Sequence, residues 1–515
     1  MKLSPRAYEI LWDAHAWAGV LASLVLFVTF FLGAFALFAE ELAPWQEPYF
    51  RAPVAVSEAR AVELAQRFAQ QEAASRPAWF GISLPTAEEP WLRLWRVASD
   101  GAIHPLWVDP VSGRQLGERS DLGEFLNAMH FLEPIPGGAH VTGVASAVMV
   151  LLVGTGLLLQ LGRMARELVR FRPTASKRVF WSDAHKVIGV VAAPFLLVFA
   201  LTGGILWLDD WFEPALTRAA TKGDPHAKER VADWPLAPAA SGRPAGAPDL
   251  ARALEVARQR FPASTHAWFF FDHLGDENGS VHLPGEQEGT LHAFTHVRVS
   301  RAGELIWARE AGGGTAYTRV MDPLYGLHFA TWARFPAKVL YALLAFLCAF
   351  GILAGNLLWL ERRRAKAPNR FDAMLARLTS GVCAGLALAV ACLFVANQLL
   401  PGGLPDRPRW EHGVFLASWA AGVVGAFLGV APAVHARRLL LVSSGLLFAV
   451  PLLDSALTLR LPFGSGSHHV LATEVGLVSL ALLLAGGAVA IRRLQRVSVP
   501  SSSPEAPDVP EPLPG

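Results

Sequence analysis

The chain has 515 residues, 53% of them apolar and only 17% charged, with a mean hydropathy of +0.34. Soluble domains sit near a quarter charged, so this composition describes a membrane protein that carries polar parts. A net charge of +2 excludes the strongly basic balance of a nucleic-acid binder, and the three cysteines, Cys348, Cys383 and Cys392, lie in apolar runs that exclude a disulfide framework, a zinc site and an iron–sulfur centre.

Lys2 and Arg6 precede an apolar run from Ala16 to Ala39, too long for a signal-peptide core and suited to an uncleaved first span within 8–43. The next region, 44–122, is markedly more polar. Ser57 to Ala73 has helical periodicity behind a serine start. Gly81 to Pro85, Trp91 to Val97 and Ile103 to Val108 read as short strands, and Asp109 to Gly113 as a turn leading into a further strand start. That describes a small α+β module of one helix and three or four strands.

Residues 123–210 hold the second and third spans. Asp121 to Leu132 reads as a helix meeting the membrane, broken by Pro134, Pro136 and Gly137-Gly138 before a span over Val141 to Leu161. Arg163, Arg166, Arg170, Arg172, Lys177 and Arg178 form a basic loop that the positive-inside rule puts in the cytoplasm. The third span is expected as one helix over Trp181 to Leu206.

The second polar region, 211–333, repeats the first in outline. A Pro/Ala/Gly-rich linker (Leu236 to Pro248) leads to a helix over Asp249 to Arg260, then to strand-like runs at Thr265 to Phe271, Gly279 to Leu283, Thr290 to Val299 and Glu304 to Ala308. The fourth span, in 334–366, starts near Pro336, a good first-turn proline, and ends in a second basic run, Glu361 to Lys366. Four more apolar runs fill 367–495: Thr379 to Leu400, Gly413 to Val430, Leu439 to Leu457 and Val470 to Ile491. The tail, 496–515, has the composition of a disordered segment. The expectation is an α-helical polytopic membrane protein of about eight spans, with two small extracytoplasmic α+β modules and both termini cytoplasmic.

The first and third spans open alike. Asp13-Ala14-His15 matches Asp183-Ala184-His185, Gly19 and Gly33 match Gly189 and Gly203, and acidic pairs follow at Glu40-Glu41 and Asp209-Asp210. Asn127 to Phe131, with His130, is echoed by Tyr325 to Phe329, with His328. An ionisable ring near a membrane helix is costly to leave unpaired, and neutral imidazole is a good iron ligand. One such histidine reads best as an interfacial side chain, but four in duplicated settings read as ligands. His15 with His185 at the inner face and His130 with His328 at the outer face would hold two haems. The matched glycines would let helices or a flat porphyrin approach. His140 is a reserve candidate beside His130, weakened because Lys338 takes its place in the repeat.

His412, His435, His468 and His469 have no repeat partners and read as structural. His266, His273, His282, His292 and His296 read as solvated surface residues, although His292 and His296 share a strand face by parity, a weak chelate pattern. Tryptophans near span ends, such as Trp12, Trp181 and Trp359, suit an aromatic belt. No phosphate loop, dinucleotide fingerprint, serine-hydrolase elbow or zinc-protease motif occurs, and Gly312-Gly313-Gly314 has nothing downstream to make it one.

On Asp13-Ala14-His15, Val108 to Gly117 (VDPVSGRQLG), Met129-His130-Phe131, Asp183-Ala184-His185, Leu201 to Gly204 and Leu327-His328-Phe329, residues 8–366 resemble the PepSY-associated transmembrane family of iron-regulated membrane proteins, which includes ferric-siderophore reductases. The resemblance implies periplasmic PepSY modules in a bacterial inner-membrane protein. It also implies haem b held by His15, His130, His185 and His328, passing electrons from an unidentified donor to a ferric siderophore. The second module lacks the VDPxSG pattern, offering only Val299 to Leu305 there, and the four C-terminal helices lie outside the resemblance. The rival readings are a permease for the chelate and a non-catalytic PepSY binding or regulatory protein.

Overall fold

The structure, a computed structural model, describes residues 4–47, 56–77, 79–86, 89–97, 103–116, 119–161, 170–173, 176–221, 224, 226–234, 237–287, 289–292, 294–332, 335–364, 369–459 and 468–496. Most of the first basic loop, the end of the second and the C-terminal tail lie outside these residues.

The membrane part begins with α1 (Pro5–Ala36), started by Pro5 and by the Ser4 hydroxyl, which accepts from the Ala7 amide at 3.2 Å. A short α2 (Ala39–Gln46) follows, then, beyond the first polar region, α4 (Leu122–His130) and α5 (Gly138–Gln160). The expected single third helix is two: α6 (Lys177–Val191) and α7 (Ala193–Thr221) meet at a bend of 69°. Pro194 is the cause, since it offers no amide to the Val190 carbonyl and its ring crowds that oxygen. The fourth apolar helix, α11 (Phe335–Arg363), completes a core in which α1 packs on α5 and α11, α5 on α7, and α11 on α6.

The polar regions contribute α3 (Glu58–Ala73), β1 (Phe80–Ser83), β2 (Leu92–Val97) and β3 (Ile103–Val108), then α8 (Ala227–Val231), α9 (Leu250–Arg260), β4 (Trp268–Asp272), β5 (Ser280–Glu286), β6 (Phe294–Ser300), β7 (Leu305–Arg309) and α10 (Ala316–Phe329). Each region has its expected helix and strands, but not its own sheet. All seven strands form one antiparallel sheet in the order β3-β2-β1-β4-β5-β6-β7, joined at its centre where Ile82 pairs with Phe269. Period-two alternation puts Ile82, Leu92, Phe269, Val281, Leu283 and Val297 on one face, where α3 and α9 bury them in a common core. The Asp109 turn is built as its chemistry predicts. The carboxylate accepts from the Val111 amide at 2.9 Å and the Ser112 hydroxyl at 2.7 Å, and Gly113 takes a left-handed φ of 71°. These bonds hold the Asp109 carboxyl below its usual range against the opposing pull of burial. The less conventional second copy keeps the hairpin: Ser300 bonds Glu304 through a turn with Gly303 at φ 86°, between β6 and β7.

The C-terminal runs become α12 (Arg370–Leu399), α13 (Arg407–Gly425), α14 (Pro432–Thr458) and α15 (His468–Arg496). Among the described residues, six helices are long and apolar enough to cross a membrane (α1, α5, α11, α12, α14 and α15), and the bent pair makes a seventh. The eighth expected span corresponds to α13, only 19 residues long and polar at its start, and it does not reach that standard. This polar start docks the extension onto the front of α4. Glu411, fully buried, accepts from Ser120 Oγ (2.7 Å), Arg407 Nε (3.1 Å) and Asn397 Nδ2 (3.2 Å). Gln46 Nε2 donates to the Ser120 carbonyl at 3.0 Å, and the His412 ring stacks on Phe125 at 3.9 Å.

A buried guanidinium stripped of its carboxylate carries a large desolvation penalty. Glu411→Ala should therefore lower stability by about 3–5 kcal/mol, seen as a shift in denaturant or thermal unfolding of the detergent-solubilised chain. A change comparable to a surface substitution would show that the network does not hold the extension in place.

Candidate functional site

Four histidines expected from the repeat meet in two pairs. His15, on α1, faces His185, on α6, with ring centroids 6.0 Å apart. His130, the last residue of α4, faces His328, near the end of α10, at 6.4 Å. His140 joins neither pair: its ring stacks on Trp211 at 5.1 Å.

Every one of the four rings is oriented by Nδ1. His130 Nδ1 bonds the Thr29 carbonyl (2.6 Å) and His185 Nδ1 the Gly351 carbonyl (2.9 Å). A carbonyl only accepts, so both nitrogens carry the proton. His15 Nδ1 lies 3.0 Å from Thr155 Oγ1, and His328 Nδ1 lies 2.7 Å from Thr202 Oγ1. Each threonine hydroxyl already donates to its own helix, Thr155 to the Leu151 carbonyl (2.7 Å) and Thr202 to the Val198 carbonyl (2.8 Å), so each accepts from the imidazole. All four rings are thus the tautomer with the Nε2 lone pair available to a metal.

The spacing fits one metal between the rings of a pair. A ligating nitrogen sits about 2 Å from the metal and the ring centroid about 1.1 Å beyond it, so two opposed imidazoles have centroids about 6 Å apart. Two ligands per pair suit a metal whose other positions are filled by a flat macrocycle. Among the described residues no group of three or more His, Cys, Asp or Glu side chains could hold a bare ion. Along α1 the two sites are separated by the 14 residues from His15 to Thr29, a rise of about 21 Å, so they cannot share a metal.

Glycine makes room for the rings. A Cβ at Gly33 would fall 2.8 Å from His130 Cε1, one at Gly355 3.0 Å from His185 Cε1, and one at Gly156 3.1 Å from His15 Cε1. Gly33 was marked by the repeat. Gly156, Gly355 and the acceptors Thr155 and Gly351 carried only a weak signal, a small residue within an apolar run. Gly19 makes ordinary contact with Leu152, and a Cβ at Gly189 would meet open space.

Above and around the outer pair lies a cavity of about 1150 Å³ that runs from the apolar helices to the sheet. Its inner part is walled by Phe30, Met149, Phe195, Phe199 and Tyr341, and Phe199 lies 5.0 Å from the His328 ring. Its outer part is polar and includes Glu89, which ion-pairs with Arg93 at 3.1 Å. Burial is the chief force on the Glu89 carboxyl, pushing it up to about 7; Arg93 opposes the shift, and Glu124, Glu40 and Glu286 add to it.

Three histidines expected at the solvated surface are buried instead: His266, His282 and His296 are 4%, 2% and 8% exposed. His296 pairs with His282 across neighbouring strands (His282 Nε2 to His296 Nδ1, 3.1 Å), not with His292, which precedes the strand. Burial and the nearby Arg309 push His296 down to about 3, so the ring is neutral. His468 and His469 line the outer cavity, which no repeat could have marked.

The chain matches the family described as the PepSY-associated TM region over residues 12–362, leaving α12 to α15 outside the match. It is also similar to an uncharacterized protein of Pseudomonas aeruginosa, 32% identical over 301 residues that make up 56% of this chain and 76% of the relative.

The raised Glu89 carboxyl has a sign for stability. Below about pH 4.5 the group is neutral in the folded and unfolded chain alike. Between that pH and about 7 only the unfolded chain loses its proton, so folded stability falls as pH rises. The loss levels off near 3 kcal/mol, an order-of-magnitude figure from about 1.4 kcal/mol per pKa unit. Glu89→Gln should match wild type at pH 4 and exceed it at pH 8 in thermal unfolding. Parallel curves for the two proteins would contradict this.

Proposed function

The chain belongs to the PepSY-associated TM region family, and on that premise we propose that it carries electrons across a bacterial inner membrane to a ferric chelate, through two haem b groups. The observation that carries this reading is the two pairs of imidazoles, each pair at the spacing of two ligands on one metal and each ring held in the tautomer that frees Nε2. His15 and His185 would hold the inner group, His130 and His328 the outer one. When bound, each haem supplies one-electron redox chemistry that side chains alone lack.

The chain's residues do the rest. The Thr155 and Thr202 hydroxyls and the Thr29 and Gly351 carbonyls accept hydrogen bonds from Nδ1–H, which fixes ring orientation and raises ligand basicity. Phe195, Phe199 and Tyr341 keep water from the inner part of the outer cavity. The sheet closes its far side and leaves space for a chelate within reach of the outer pair. One electron converts the bound Fe(III) to Fe(II), a poorer match for hard oxygen ligands, so iron is released. The electron donor is a partner on the inner face or in the bilayer. In this reading α1, α5, the bent α6–α7 pair, α11, α12, α14 and α15 are spans, both polar regions are periplasmic and both basic loops and the N-terminus are cytoplasmic. A cytoplasmic C-terminus needs α13 to cross as an eighth span, although it falls short of the other helices in length and hydropathy.

The purified chain should show a reduced-minus-oxidised spectrum of bis-histidine haem, with two haems per polypeptide. His185→Ala should remove the inner haem and keep most of the outer, and His328→Ala the reverse. Either change should lower chelate reduction at least tenfold, because the sites act in series. Full haem content in both variants would make these histidines structural. Reporter fusions at Gly113 and Ala365 should report opposite compartments, and agreement between them would overturn the orientation.

A further inference from the structure

Three side chains stand at one level beside the inner pair. Arg178 lies seven residues before His185 on α6, Arg362 seven after Gly355 on α11, and Tyr8 seven before His15 on α1. Gly355 is the glycine against the His185 ring, where a Cβ would fall 3.0 Å from Cε1. Seven residues are close to two helical turns, so each side chain leaves its helix on the face that carries the pair, about 10.5 Å along the axis. In all three helices that displacement runs away from the outer site. The three side chains also come together: Arg362 interacts electrostatically with Arg178 and with Tyr8, and His185 feels the Arg362 charge.

Two guanidiniums so placed repel each other, and among the described residues neither makes an ion pair. The neighbouring carboxylates are taken. Asp183 binds Arg172 at 2.8 Å and Lys186 at 3.3 Å, Glu361 lies 3.6 Å from Arg364, and Asp372 lies 3.9 Å from Arg363. A second observation is independent of this charge count. The Arg362 guanidinium sits over the Trp12 ring at 4.2 Å, and its Nε is fully buried with no hydrogen-bond partner among the described residues. A buried, unbonded donor beside a like charge is costly unless an anion completes the site. The outer pair has nothing comparable: among the described residues, the permanent cations of its cavity lining, Arg258 and Lys338, bond Glu58 and Glu41.

We infer that Arg178 and Arg362 form a carboxylate-binding subsite for the group held between His15 and His185, with the Tyr8 hydroxyl as a further donor. A haem carries two propionate carboxylates on one edge, and two guanidiniums match them in number and in charge. That edge then faces the inner surface of the membrane, and the apolar edge of the macrocycle faces the bilayer interior. The inference rests on the proposed function for the identity of the group as haem. The headgroup of an anionic lipid offers similar anionic oxygens, and the experiment separates the two sources.

Iron protoporphyrin IX and its dimethyl ester, which lacks the carboxylates, are titrated into the haem-free, full-length His328→Ala chain in phosphatidylcholine nanodiscs. This background leaves the inner pair as the bis-histidine site. The free acid should bind at least tenfold tighter than the ester. The ratio should fall to near one in the Arg178→Gln, Arg362→Gln double variant and stay high in Arg178→Lys, Arg362→Lys. With His328 restored, the glutamine variant should keep its outer haem, which shows that it folds. If it loses that haem, the single variants decide, each expected to cut the ratio at least threefold. Equal binding of acid and ester by the parent chain, or an unchanged ratio in the glutamine variants, overturns the inference. So does a preference that disappears when phosphatidylglycerol is added to the nanodiscs, because the subsite then belongs to lipid headgroups. A chain that binds neither porphyrin loses the electron-transfer reading together with this one, whereas a chain that binds both equally loses this one alone.

Discussion

An imidazole placed among apolar helices has a proton that must go somewhere, and the rest of this molecule follows from where it goes. In each of the four rings that proton is given to a neighbouring helix, to a carbonyl in two cases and to a threonine hydroxyl in the other two. A ring can come that close only where the receiving helix lacks a side chain, hence Gly33, Gly156 and Gly355. Helix packing, ring orientation and the free lone pair are therefore one requirement met at His15, His130 and His185, while at His328 a Cβ on Gly203 would still make ordinary contact at 4.0 Å. A membrane interior offers no water to relax any part of it.

The outer pair needs more support than the inner one, because its histidines lie at the ends of short helices outside the long spans. The start of α4, opposite the end that carries His130, is gripped from the side by the C-terminal extension: Glu411 and Asn397 hold Ser120, and His412 holds Asp121. The helix α10 starts at Ala316, soon after the last strand of the sheet ends at Arg309, and it packs on α7. The extension thus has a physical role despite lying beyond the matched region: it buttresses the helix that presents His130.

Much of this was legible in the residues. Charge runs and apolar lengths located the long helices, the Asp109 turn followed from its own hydrogen-bond chemistry, and the duplicated Asp-Ala-His tripeptides led to rings that do meet. What stayed hidden was relational. Pro194 lies early enough in an apolar run to pass as a tolerated residue, and only the neighbouring packing turns it into a 69° bend. The polar start of α13 looked like the edge of a span because its partners, Ser120 and Asp121, are remote in sequence. Strand periodicity shows which residues face inward but not which strand lies alongside, so the strands read as belonging to two separate modules, while β1 and β4 are neighbours in one sheet. His282 and His296 were placed at the surface on residue type alone, and their cross-strand pairing buries them.

The central pairing of Ile82 with Phe269 joins residues 187 positions apart, with α4 to α7 made in between. At a synthesis rate of about 5–20 residues per second, β1 waits about 10–40 s for its partner. During that time its backbone groups form an open edge, the kind of surface that recruits other chains. Biogenesis of this protein is therefore ordered by insertion. The sheet can close only after α4 to α7 have been made, and until then the free edge of β1 is open to mispairing.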